Sequence, residues 1–134
     1  MREEILELTR NTKETQISMK LKIYGSGVAK INTGIGFFDH MLEAFTKHSL
    51  LEISCKGDTH VDFHHSVEDV GIVLGQLLKE ALYPLSGVER FGEASVVMDE
   101  AAVFCALDLS NRAYLIYENF NENAKVGEFD TELV

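Results

Sequence analysis

Residues 36 to 42 read GFFDHML and residues 127 to 133 read GEFDTEL, so Gly, Phe, Asp and Leu recur at a constant offset of 91 positions. Both copies follow strand-like runs and a glycine. A repeat with matching surroundings constrains the fold more than any single element does, and 134 residues hold either one substantial core or two small related units. Two units in succession are therefore expected, the first over residues 1–90 and the second over 91–134. The second is expected to be incomplete, since its final strand and long helix would lie beyond Val134.

Local periodicities supply the contents of these units. Ile17, Met19, Leu21 and Ile23 alternate, as in a half-buried strand, and the YGSG turn that follows suggests a hairpin with Val28 to Asn32. FFDHMLEAFTKH sets Phe38, Met41, Leu42 and Phe45 at helical spacing, and LLEISCKG alternates as a third strand. EDVGIVLGQLLKEAL carries a wide apolar face of Val70, Val73, Leu74, Leu77, Leu78 and Ala81, a helix that begins at or just after the HH pair. EASVVM and AAVFCALDL read as strands joined at Met98-Asp99-Glu100, and RAYLIYENF as another. The second GxFDxxL copy is expected to open a helix, as the first does.

Acidic residues number 22 against 12 basic ones, a net charge of -10 that disfavours nucleic acid as a partner. The N-terminal MREEILELTR is too polar for a signal peptide, and no run approaches the roughly 18 apolar residues of a membrane span. Cys55 and Cys105 lie in alternating apolar segments and read as core thiols in a reducing compartment. A cytoplasmic protein without membrane partners is expected.

All five histidines fall between His40 and His65, and the six residues HHSVED at 64–69 hold two of them with two carboxylates. On a helix Glu68 can approach either ring, being four residues from His64 and three from His65. Adjacent helical side chains diverge by about 100°, which suits two separate centres better than one tetrahedral ion. Imidazole nitrogen with carboxylate oxygen favours manganese, iron or zinc over calcium. The plainer alternative is an exposed helix start whose carboxylates cap it. Arg90 in GVERFG and Arg112 after DLSN each stand near a strand boundary, and their guanidinium forks suit a phosphate monoester if they converge. Glu14 is either an ordinary turn carboxylate or a group poised over a substrate. The glycine pairs of TGIG and YGSG lack a dinucleotide-binding setting, and no nucleotide-triphosphate loop is present.

RNTKET, NTGIGFFDHML, HHSVED with the following GIVLG, ERFG, MDEA, DLSNR and VGEFDTELV occur in the order seen in imidazoleglycerol-phosphate dehydratases. The resemblance runs from about Arg10 to Val134. It implies an α+β fold of two similar units, each a four-stranded sheet with two helices on one face, similar to ribosomal protein S5 domain 2, with the second unit truncated here. It implies a lyase of histidine biosynthesis that eliminates water from D-erythro-imidazole-glycerol phosphate to give imidazole-acetol phosphate. It further implies two Mn²⁺ ions per complete site, shared between neighbouring chains of a 24-subunit homo-oligomer. Carried over by motif, His40, His64, His65 and Glu68 resemble metal ligands. Glu14, His48, Ser66, Val67, Arg90 and Arg112 match substrate-binding positions, and Glu14, His65 and Glu68 are the candidates for proton transfer. The family's DLSGRP reads DLSNRA at 108–113, which changes the turn beside Arg112, although Asn tolerates a left-handed backbone. A second HHxxE cluster is expected about 91 residues after the first. The competing expectation is an inactive metal-binding or assembly fragment of such an enzyme.

Overall fold

The computed structural model describes residues 4–118 and 124–134. Its main body is a mixed four-stranded sheet in the order β1-β2-β4-β3, built from β1 (Leu6–Asn11), β2 (Gln16–Lys22), β3 (Ala29–Asn32) and β4 (Glu52–Lys56). Two helices, α1 (Gly36–Ser49) and α2 (Phe63–Leu82), pack on it.

Register explains why one face is dry. Leu6 lies opposite Leu21 and Leu8 opposite Met19, while Met19 and Leu21 lie opposite Cys55 and Ile53. These side chains share one core with Leu42 of α1 and with Val70, Val73, Leu77 and Ala81 of α2. Each fully buried aliphatic side chain there contributes about 1.5–3 kcal/mol. The intervening residues point to the other face, where Lys20 pairs with Glu7 at 3.2 Å and Lys22 with Glu52 at 3.6 Å. This is the expected α+β unit, and one such unit is present among the described residues.

Several local expectations are corrected. The run after YGSG does not form a hairpin with β2; β3 pairs parallel with β4, with α1 as the crossover. The chain is already committed to β4 at the turn, because Gly27 donates to the Leu51 carbonyl and Ile53 to that of Val28. Gly25 is required there, since a Cβ would sit 2.6 Å from the Glu52 amide nitrogen. β1 was hidden by the charges of the N-terminal segment, yet its alternation puts Leu6 and Leu8 on the core side. In α1 the inward stripe is Phe38, Leu42 and Thr46, whereas Met41 and Phe45 are largely exposed.

β5 (Phe91–Met98) and β6 (Ala101–Asp108) form the expected hairpin, turning at Asp99, whose φ is 50°. Every residue of both strands is exposed, and Cys105 is therefore not a core thiol, in contrast to the buried Cys55. RAYLIYENF does not form a strand over its described part, 112–118, where its aromatic alternation finds no ladder partner; its last two residues lie outside the described residues. Instead of opening an α-helix, the second echo forms the short hairpin β7 (Lys125–Val126) and β8 (Phe129–Asp130), then one 3-10 turn, Thr131–Leu133. Phe129 is nonetheless buried, with its ring 5.3 Å from that of Phe37 and 6.2 Å from that of Phe38.

Candidate active site

The HHSVED segment is the first turns of α2, and Asp62 is the residue that starts the helix. Its carboxylate accepts from the His65 amide at 2.8 Å, the N-cap bond that an Asp three residues upstream provides. The same carboxylate lies 2.8 and 2.9 Å from His65 Nδ1. With Nδ1–H donated to Asp62, the Nε2 lone pair faces outward as a ligand or base. That hydrogen bond holds the His65 pKa above its ordinary value, against the opposing effect of desolvation, with further help from the charges of Asp62, Glu14 and Glu68. The Asp62 carboxyl is correspondingly lowered, first by the His65 amide and then by its ring.

His64 Nε2 stands 3.6 Å from Glu68 Oε2, and both side chains are exposed. The two imidazoles meet edge to face, with centroids 5.6 Å apart and planes at 83°. Imidazole nitrogens and a carboxylate oxygen are ligand types for manganese, iron or zinc. His40 and His48 lie on exposed positions of α1, away from this cluster in sequence and helix. Among the described residues no group of three or more His, Cys, Asp or Glu side chains is arranged to hold an ion. Ser66 is fully buried, its hydroxyl directed at the carbonyls of Asp62, at 3.0 Å, and Asp58, so its side chain holds the preceding loop to α2. Val67 is half-buried beside it.

Glu14 sits in the β1–β2 turn, half-buried. Asp69, one residue past Glu68, is buried and accepts from Arg10 Nε at 2.7 Å and from the Thr15 hydroxyl. Desolvation would raise its pKa, but the bonds from Thr15 and Arg10 outweigh it and the carboxyl is lowered. Asp62 is not singled out by the sequence, and Asp69, one of the two HHSVED carboxylates expected to cap an exposed helix start, is instead buried beyond the first turn. Asp62 was detectable as an N-cap before the helical run, and Asp69 as a charge on the apolar stripe of α2 that would need a partner.

Arg90 and Arg112 lie near one another in the lining of a surface cleft of about 560 Å³, with Tyr83, Pro84, Leu85, Leu109, Ser110 and Asn111. Arg90 is paired with Asp108 through Nε at 2.7 Å and Nη2 at 3.2 Å, which leaves Nη1 unengaged by that pair. The same bond lowers Asp108 and raises Arg90. Asn111 adopts the left-handed conformation, φ 58°, and its amide donates to the Tyr83 hydroxyl at 3.1 Å. The turn thus survives the replacement of glycine.

Sheet, helices and cluster together define an α+β protein that presents a histidine–carboxylate array at a helix start, with an arginine-lined cleft at the foot of its hairpin. The imidazoleglycerol-phosphate dehydratase family model matches residues 33–134. The imidazoleglycerol-phosphate dehydratase of Campylobacter concisus is 96% identical over 136 residues, covering 100% of this chain and 70% of that protein. The Campylobacter curvus dehydratase is 74% identical, covering 99% of this chain and 69% of that protein. Among solved structures, the imidazoleglycerol-phosphate dehydratase of Staphylococcus aureus aligns with a TM-score of 0.82 at 38% identity, covering 97% of this chain and 72% of that one. The Pyrococcus furiosus enzyme in complex with (S)-C348 aligns at 0.78 and 34%, covering 94% and 67%. The chain belongs to the imidazoleglycerol-phosphate dehydratase family. No helix among the described residues is long and apolar enough to cross a membrane.

Proposed function

We propose that this chain performs the family's reaction, elimination of water from D-erythro-imidazole-glycerol phosphate to give imidazole-acetol phosphate in histidine biosynthesis. The observation that carries the proposal is the pairing of an oriented imidazole, His65 held by Asp62, with the His64–Glu68 pair on the exposed start of α2. His64, His65 and Glu68, with His40 of α1, are the side chains that would hold Mn²⁺. As the family resemblance implies, the ligand sets are shared between neighbouring chains of a homo-oligomer of 24 subunits, with two ions per complete site. Bound manganese supplies Lewis-acid stabilisation of charge on the substrate's imidazole, which lacks the carbonyl that ordinary dehydrations use.

The chain's own groups do the rest. Arg90 and Arg112, facing one cleft, take the phosphate, and Asp108 fixes the Arg90 fork so that Nη1 is presented. Glu14, His65 and Glu68 are the groups placed to move the proton lost with hydroxide. His48, Ser66 and Val67 shape the approach, Ser66 by anchoring the loop ahead of α2. Residues 1–90 and 91–134 belong to two related units, a reading supported by the echo at offset 91 and by the stacking of Phe38 on Phe129.

The test is dehydration of imidazole-glycerol phosphate by the purified protein, stripped with chelator and reloaded with Mn²⁺, with metal content measured on the same sample. Turnover that follows manganese content is expected. Failure to bind manganese or to turn over would overturn the proposal, and manganese uptake without turnover would instead identify a metal-binding assembly fragment.

A further inference from the structure

We infer that Asp69 is a positioning residue that fixes Glu14 over the imidazole cluster; the inference rests on the reading of Glu14 as a substrate-facing group. The β1–β2 turn is closed on itself: Thr12 donates to the Thr15 carbonyl at 2.9 Å, and the Thr12 hydroxyl accepts from the amides of Glu14 at 3.1 Å and Thr15 at 3.0 Å. A rigid turn still needs a fixed attachment. Asp69 provides it with one oxygen for each stem, Oδ1 on Arg10 at the end of β1 and Oδ2 on Thr15 just before β2.

The clamp spans 59 and 54 positions of sequence, and it is anchored in α2 one residue after Glu68 and four after His65. The turn that carries Glu14 and the helix that carries the imidazoles are thereby tied into one body. Stability alone does not call for a charge at this place. The pair is only half-buried, with the Arg10 side chain 38% exposed, and a buried carboxylate's desolvation offsets much of its attraction to such a partner. A two-pronged carboxylate differs from an apolar filler in fixing direction, and direction is what a proton-transferring group requires.

In the assembled, manganese-loaded enzyme, Asp69→Asn is expected to lower kcat by roughly 10- to 100-fold with little change in KM, the scale of a misplaced catalytic group. Hydrogen exchange at the amides of Glu14 and Thr15 should quicken while manganese stoichiometry stays unchanged. Since the effect runs through Glu14, the double variant Asp69→Asn/Glu14→Gln should be no slower than Glu14→Gln alone. Losses that add in the double variant would overturn the inference, as would normal kcat in Asp69→Asn with quickened exchange at the turn. Normal turnover by Glu14→Gln would overturn the reading of Glu14 itself, a separate result. Should Asp69→Asn fail to fold, Thr15→Val and Arg10→Gln each release one stem and are judged by the same three readouts.

Discussion

The strands of the four-stranded unit and of the β5–β6 hairpin are alike rich in apolar residues, yet they end in opposite environments. In the first, Ile17 and Val70 are 0% exposed; in the second, Val97 is 76% exposed and Phe104 68%. Alternation specifies which side of a strand is apolar, and burial also needs a second layer to receive that side. α2 supplies that layer to β1 and β2, and α1 chiefly to β3. The hairpin has its ladder and, among the described residues, no helix across it. The candidate site residues divide in the same way: the imidazoles of α2 stand on the packed unit, whereas Arg90 and Arg112 stand at the base of the uncovered hairpin.

The sharpest test of that division is kinetic. His65→Ala is expected to lower kcat by roughly 10²- to 10⁴-fold, the range for removal of a proton-transferring group, and to weaken manganese binding. Arg90→Ala, on the hairpin side, should instead raise KM by roughly 10- to 100-fold, the loss of a charged hydrogen bond to phosphate. Equal falls in kcat from both would erase the distinction.

Stability provides the next contrast. Leu77→Ala, at a site 1% exposed, should destabilise the protein by about 2–5 kcal/mol in denaturant titration. Val97→Ala should stay within about 0.5 kcal/mol, and a core-sized cost there would mean that the assembled protein covers the hairpin.

The two thiols give the finest comparison. Burial, aided by the charge of Asp39, pushes Cys55 up to about 11 from 9.0. The folded state therefore keeps a proton that the unfolded chain releases. Its contribution is whole below about pH 9 and declines by at most about 1.4 kcal/mol per unit as pH rises towards 11. Cys55→Ser should flatten that decline in alkaline unfolding curves. Near neutral pH the exposed Cys105 should take up an alkylating reagent while Cys55 does not; equal labelling would show the packed unit to be open.

The core was largely legible because its information is local. Ile17, Met19 and Leu21 alternate within β2, and Val70, Val73, Leu77 and Ala81 recur at helical spacing, so strand and helix each declare their inner faces. Pairing was not local. YGSG has the composition of a hairpin turn, and nothing near it in sequence announces that Val28 bonds to Ile53. β1 was obscured because net polarity was weighed ahead of the alternation of Leu6 and Leu8. At the site, HHSVED and the two arginines are visible as residue types, but that Arg90 and Arg112 line one cleft appears only in the fold. The partnership of Asp69 with Arg10 and Thr15 required the folded sheet. The second echo does not open a helix as the first does: its four matching residues carry a motif, while its Phe129 and Asp130 pair with Lys125 and Val126 as a short hairpin.

Phe38 and Phe129 occupy equivalent places in the two echoes, and their rings stack at 18°. The backbones beneath them differ, helix under Phe38 and strand under Phe129, and Phe129 lies closer still to Phe37. One ring thus serves two neighbours at once, and a change in its size must be accommodated by both.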